Sequence, residues 1–147
     1  MLNIMHNDEI QNRIIDEMAV MEDWMDKYDY LIELGSTLPP IDESHKTDRY
    51  LINGCQSRVW VDARREDDGR IYYSADSDAI ITKGIIALLV RVLNGRTAQQ
   101  IIDTELYFID ETGLSDNLSP TRSNGLAAMV KQMRLYALAY AHTEHDK

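Results

Sequence analysis

Between Ala79 and Leu93, apolar residues cover most of the circumference that a helix would have: Ile80, Ile81, Ile85, Ile86, Leu88, Leu89, Val90, Val92 and Leu93. A helix apolar along one stripe can lie on a surface, but one apolar nearly all round has to be enclosed. The rest of the chain must therefore supply the layers around this segment. At 147 residues it has the material to do so, since a domain of this size buries about 70% of its unfolded surface. One domain over residues 1–147 is expected, with a flexible tail over about 142–147. Asp76–Ser77–Asp78 is a strong helix start, with acids near the positive end of the helix dipole, and Asn94–Gly95 is a stop. Gly84 costs this helix about 1 kcal/mol relative to alanine. That suggests another backbone passing close by, and the loop around Cys55 is the candidate, which places Gly84 among the candidate site residues.

The flanking segments read as helices on one side and strands on the other. From Asp8 to Leu34 the residues Ile10, Ile14, Met18, Met21, Trp24, Tyr28 and Leu31 trace one helical stripe, with acids on the wetter faces. Asn7 can cap its start and Gly35 can end it; Asp29–Leu34 is either a second short helix or the tail of the first. Pro39–Pro40 and the polar run Asp42–Lys46 make a connection, in which His45 reads as a solvated loop histidine.

Three strand candidates follow. Tyr50–Leu51–Ile52 is short, Arg58–Arg64 alternates with Val59, Val61 and Ala63 on one face, and Arg70–Ala75 returns after the turn Glu66–Gly69. The expected fold is α+β: a small curved antiparallel sheet of three strands with helices packed on one face. Cys55 then lies in the loop feeding the middle strand. Further on, Thr97 caps a short helix through Asp103, and Thr104–Leu118 is less regular, with Tyr107, Phe108 and Ile109 packing under a loop. Ser119–Pro120 opens the last helix, whose buried stripe runs through Leu126, Met129, Val130, Met133 and Tyr136 or Ala137. Residues Ala141–Lys147 are expected to fray, and His142 and His145 have no acid or thiol spaced to complete a metal site.

Charge and cysteine content exclude several classes. The net charge is −10, from 25 acidic and 15 basic residues. No basic run or basic helix face suits a phosphate backbone, so nucleic acid is not an expected partner. One cysteine allows no internal disulfide, no zinc site built on three or four thiolates, and no four-cysteine iron–sulfur site within the chain. The first residues lack the basic start and apolar core of a signal peptide, and the run Gly84–Val90 is too short to span a bilayer. A cytoplasmic protein without membrane contact is the expectation.

The single cysteine, at Gly54–Cys55–Gln56–Ser57, has two readings from the residues alone. Free cysteines are among the most often buried side chains. Yet a thiol beside a glycine, at a turn leading into a strand, is well placed for sulfur chemistry. Around it the motifs fall in a fixed order. Tyr30–Leu31–Ile32–Glu33–Leu34–Gly35 is followed by Leu38–Pro39–Pro40, then by Gly54–Cys55–Gln56–Ser57–Arg58–Val59–Trp60. Asp76–Ser77–Asp78–Ala79, Lys83–Gly84 and Leu118–Ser119–Pro120–Thr121–Arg122–Ser123–Asn124–Gly125–Leu126 complete the series. In these motifs, from about Met21 to Tyr136, the chain resembles the SufE/CsdE family of sulfur-acceptor proteins.

The resemblance implies an α+β fold shared with the IscU-type scaffold proteins. It implies a partner, a PLP-dependent cysteine desulfurase of the SufS or CsdA type, whose persulfide sulfur is passed to the acceptor's cysteine and on to iron–sulfur cluster assembly, with a cluster scaffold downstream. The acceptor stimulates the desulfurase. By position, Cys55 is the acceptor, and Gly54, Gln56 and Ser57 form its loop. Asp78 and Arg122 match positions that the family places near that loop and the partner surface. Arg58 and Asn53 depart from the family pattern. The PLP belongs to the partner, and no cofactor of the protein's own is implied.

The chemistry is compatible. A thiolate attacks the outer sulfur of a persulfide and releases the partner's thiolate, so one nucleophilic cysteine suffices, and Arg58 or Arg122 is a candidate for favouring the thiolate once a partner docks. The apolar flanks Leu51–Ile52 and Val59–Trp60 suggest a thiol sheltered at rest. Two other classes compete: a non-covalent activator of a desulfurase, and a stand-alone thiol enzyme pairing Cys55 with a histidine such as His45.

Overall fold

A computed structural model describes residues 8–145. The expected cap Asn7 and the last two tail residues lie outside the described residues. Its helices are α1 (Glu9–Ala19), α2 (Trp24–Ser36), α3 (Ile80–Leu93), α4 (Ala98–Asp103), the short α5 (Phe108–Glu111) and α6 (Leu114–Asn117), and α7 (Pro120–His145). The strands are β1 (Val59–Arg65), β2 (Arg70–Ser77) and β3 (Arg96–Thr97), antiparallel in the order β1-β2-β3.

The long N-terminal stripe is broken into two helices rather than one. Asp8 caps α1, its carboxylate accepting from the amides of Ile10 and Gln11. Asp23 caps α2 by accepting from Asp26 N–H. The break falls at residues 20–23, earlier than the Asp29 boundary considered from the sequence, because Asp23 supplies a fresh cap. Gly35 lies inside α2 rather than ending it. Its role is packing: a Cβ there would sit 3.0 Å from the backbone nitrogen of Gly84.

That contact corrects the reading of Gly84. The backbone crossing it is α2, not the Cys55 loop: a Cβ at Gly84 would run into the carbonyl and Cβ of Leu31. Two glycines, Gly35 and Gly84, let α2 and α3 approach closely. Helix α3 is the enclosed element its composition demands, with Ile85 to Val90, Val92 and Leu93 buried. At its far end, Arg91 donates to both carboxylate oxygens of Glu17 at 2.9 and 3.0 Å and to Tyr30 Oη at 2.9 Å. This joins α1, α2 and α3 through one polar knot. Arg91 holds the Glu17 carboxyl below its usual range, and burial, with Glu17 beside it, pushes the Tyr30 phenol up to about 12.

The sheet lays Val59, Val61, Ile71, Tyr73 and Ala75 against the helices, and β1 and β2 pair in one register from Val59–Ser77 to Arg65–Ile71. The third strand differs from expectation. Tyr50–Ile52 makes only a single bridge, Leu51 to Trp60, and the third strand proper is Arg96–Thr97, paired with Arg70 and Ile71. The strand between two others is therefore β2, and the Cys55 loop feeds the outer strand β1. Two residues are too few to show alternation, which is why β3 is invisible in the pattern. Thr97 and Gln100 then form a capping box at the start of α4.

Helix α7 closes the structure. Leu126, Met129, Met133 and Ala137 are buried, and Tyr73 Oη donates to Met133 O at 2.6 Å. Tyr136 and Tyr140 donate to the β1 carbonyls of Val61 and Ala63, each at 2.9 Å. The helix continues through His145. Among the described residues, no helix is long and apolar enough to cross a membrane.

Candidate functional site

The Cys55 loop is closed at its base by backbone hydrogen bonds. Ile52 N–H donates to Val59 O at 2.8 Å and Val61 N–H to Tyr50 O at 3.0 Å. Residues 53–58 therefore project as a short loop from the end of the sheet. Gly54 adopts φ of +96°, a left-handed conformation open to glycine at little cost. A Cβ at Gly54 would also press on Ala128 of α7 at 3.3 Å.

The other end of the loop is clasped to the β2–α3 junction. Arg58 N–H donates to Asp78 Oδ1 at 3.0 Å, and Asp78 N–H donates back to Arg58 O at 3.2 Å. Ser77 Oγ donates to the same carbonyl at 2.8 Å. Asp76–Ser77–Asp78 is thus not the helix start expected: Asp76 and Ser77 end β2, and Ala79 occupies the cap without a side-chain bond. Asp78 spends its carboxylate on the loop instead. Asp76 pairs with Lys46 and Lys83, at 2.7 and 3.2 Å.

Cys55 is half-buried and free. Its Sγ donates to Gly125 O of α7 at 3.6 Å, and a Cβ at Gly125 would meet that sulfur at 3.4 Å. Burial pushes the thiol's pKa above its ordinary value. At rest, the site holds an uncharged thiol with its proton directed at a helix carbonyl.

Beside the sulfur is a cavity of about 390 Å³. The loop contributes Gln56 and Ser57 to its wall, and α3 contributes Thr82 and Ile85. Thr121, Arg122, Gly125 and Met129 line it from α7. Of the candidates read from sequence, Cys55, Gln56, Ser57 and Arg122 are brought to one cavity, and Asp78 holds the loop from outside it. Arg58 is exposed, with its backbone in the clasp, and does not line the cavity. Gly84 faces α2, away from this site.

Gly125 and Thr82 are site residues that the sequence reading misses. A glycine inside a helix is the clue for the first, the same clue that draws attention to Gly84. For the second it is the one hydroxyl on a helix whose other polar side chains, Lys83 and Arg91, are engaged in ion pairs. His45 is tied elsewhere and is not the solvated histidine expected. It pairs with Asp62 through Nδ1 and stacks on Tyr50 with ring centroids 4.3 Å apart. No group of three or more His, Cys, Asp or Glu side chains suited to a metal ion occurs among the described residues.

The SufE family model, described as an Fe-S metabolism associated domain, matches residues 12–137. Among solved structures, the solution structure of a hypothetical protein from Thermus thermophilus superposes with a TM-score of 0.75 at 18% identity. The match covers 90% of this chain and 96% of that one, a likeness of fold.

Proposed function

Because this chain belongs to the SufE family, we propose that it is a sulfur acceptor whose Cys55 takes sulfur from the persulfide of a PLP-dependent cysteine desulfurase. The observation that carries this reading is the placement of the only cysteine. It sits in a clasped loop, half-buried, at a cavity whose one charged wall residue, among those described, is Arg122. An inert core thiol would need neither the cavity nor the loop.

The transfer balances without an oxidant. The Cys55 thiolate attacks the outer sulfur of the partner's persulfide, a new S–S bond forms, and the partner's own S–S bond breaks. The departing thiolate takes up the equivalent of the proton that Cys55 lost. The PLP chemistry that creates the persulfide stays on the partner, and the sulfur leaves Cys55 for iron–sulfur cluster assembly. Because burial disfavours the thiolate at rest, docking has to move the loop or bring charge to it, and Arg122, which lines the same cavity, is this chain's candidate for that charge.

The test is an intact mass after incubation with desulfurase, cysteine and PLP. The expected result is a gain of one or more sulfur atoms on the wild type and none on Cys55→Ser. A wild type that stimulates the desulfurase without gaining mass would favour the non-covalent activator instead. Replacing all four histidines should leave sulfur uptake intact, which a Cys–His thiol enzyme would not tolerate.

A further inference from the structure

We propose that Thr82 contacts the transferred sulfur: its hydroxyl donates a hydrogen bond to the terminal sulfur of the persulfide on Cys55, inside the cavity the two residues share. This rests on the reading of Cys55 as the acceptor. Thr82 and Gln11 are the buried polar residues among those described. The Gln11 side chain is fully engaged, donating to Asp8 and to Glu105 O and accepting from Phe108 N–H. The Thr82 hydroxyl has no protein partner among the described residues, although 93% of the residue's surface is covered.

Buried hydroxyls are normally bonded, and a threonine in a helix can return its proton to the carbonyl four residues back. Here that residue is Asp78, which precedes the helix. No unpartnered side-chain oxygen is sealed from open space among the described residues. The Thr82 hydroxyl therefore faces open space, and the open space that Thr82 lines is the Cys55 cavity. At this buried position valine would serve packing alone.

Loading the cysteine changes what its surroundings must supply. The resting S–H donates to Gly125 O. After transfer Sγ has no hydrogen, and negative charge is carried by the terminal sulfur, which needs a donor rather than a carbonyl. The cavity of about 390 Å³ has room for it many times over, given that a water's share is about 30 Å³. Arg122, from α7, is the only charged group in the wall among the described residues, and Thr82 donates from the opposite helix.

The full-length protein can be loaded without a partner. The Cys55 thiolate takes one sulfur from inorganic polysulfide and leaves that polysulfide one sulfur shorter. The pH profile for alkylation of the loaded sulfur is then compared in wild type, Thr82→Val and Thr82→Ser. Loss of a hydrogen bond to a charged group should raise the alkylation midpoint of Thr82→Val by about one pH unit. Thr82→Ser should restore it, and the unloaded thiol, whose partner is Gly125, should keep its profile. A loaded Thr82→Val with the wild-type midpoint and wild-type Tm overturns the proposal, as does a wild type that does not retain the added sulfur. If Thr82→Val does not fold, Thr82→Ala makes the same comparison. A wild type that accepts sulfur from polysulfide but none from a desulfurase refutes the acceptor reading while leaving the Thr82 comparison standing.

Discussion

At the scale of the residue, Cys55 couples chemistry to stability through its proton. Burial raises its folded pKa, while an unfolded thiol ionises near about 8.5. Below that value both states keep the proton, and the contribution to stability is constant. Above it the unfolded chain loses its proton first, so stability falls as pH climbs toward the folded pKa. Tyr30 and Tyr136 titrate at about 12 in the fold, and unfolded tyrosines only near about 10, so they act later. Thermal unfolding of the wild type should therefore weaken between about pH 8.5 and about pH 10, and Cys55→Ser should flatten that slope relative to wild type. Equal slopes would mean that the thiol is not held uncharged by the fold.

At the scale of the element, the close crossing of α2 and α3 decides what Gly84 is for. Gly84→Ala should destabilise the protein by about 3 kcal/mol, the upper end of the overpacking range, because its methyl meets the backbone of Leu31. Denaturant melts would measure it, and a neutral result would show that the helices can part. The same crossing shows how far elements are legible in the sequence. The enclosed helix, the β1–β2 hairpin and the last helix follow from periodicity and turn residues, since each is long enough to display its period. Gly84 is legible as a close approach, but its partner is not, because a single glycine names no neighbour. The clasp of Asp78 on Arg58 is hidden for a related reason. An acid at the edge of a helix reads as a cap, and only the fold shows that its carboxylate turns back to the loop. Cys55, Gln56, Ser57 and Arg122 are legible through motifs in order; Gly125 and Thr82 depend on which helix faces lie opposite the sulfur.

At the scale of the whole molecule, the sulfur lies between two helices that belong to different parts of the chain, α3 and α7, with the loop clasped across their ends. A bulky reagent is expected to reach this half-buried sulfur when the loop moves while the core stays folded. Alkylation of Cys55 by a bulky reagent should be slow in the free protein, and a docked desulfurase should accelerate it by about tenfold or more, the factor corresponding to about 1.4 kcal/mol of opening. Fast labelling that ignores the partner would remove the need for any opening. The route of docking is narrowed by the tyrosines of α7. Along the outer side of β1, Val59 O and Val61 N–H are taken by residues 50–52. Beyond these, Val61 O and Ala63 O are taken by Tyr136 and Tyr140, and Ala63 N–H by Asp62. An open strand edge is a template on which any extended chain can add, and over this stretch the phenols have already filled it. A partner therefore cannot dock by extending the sheet here, and neither can another copy of the protein when the concentration is high.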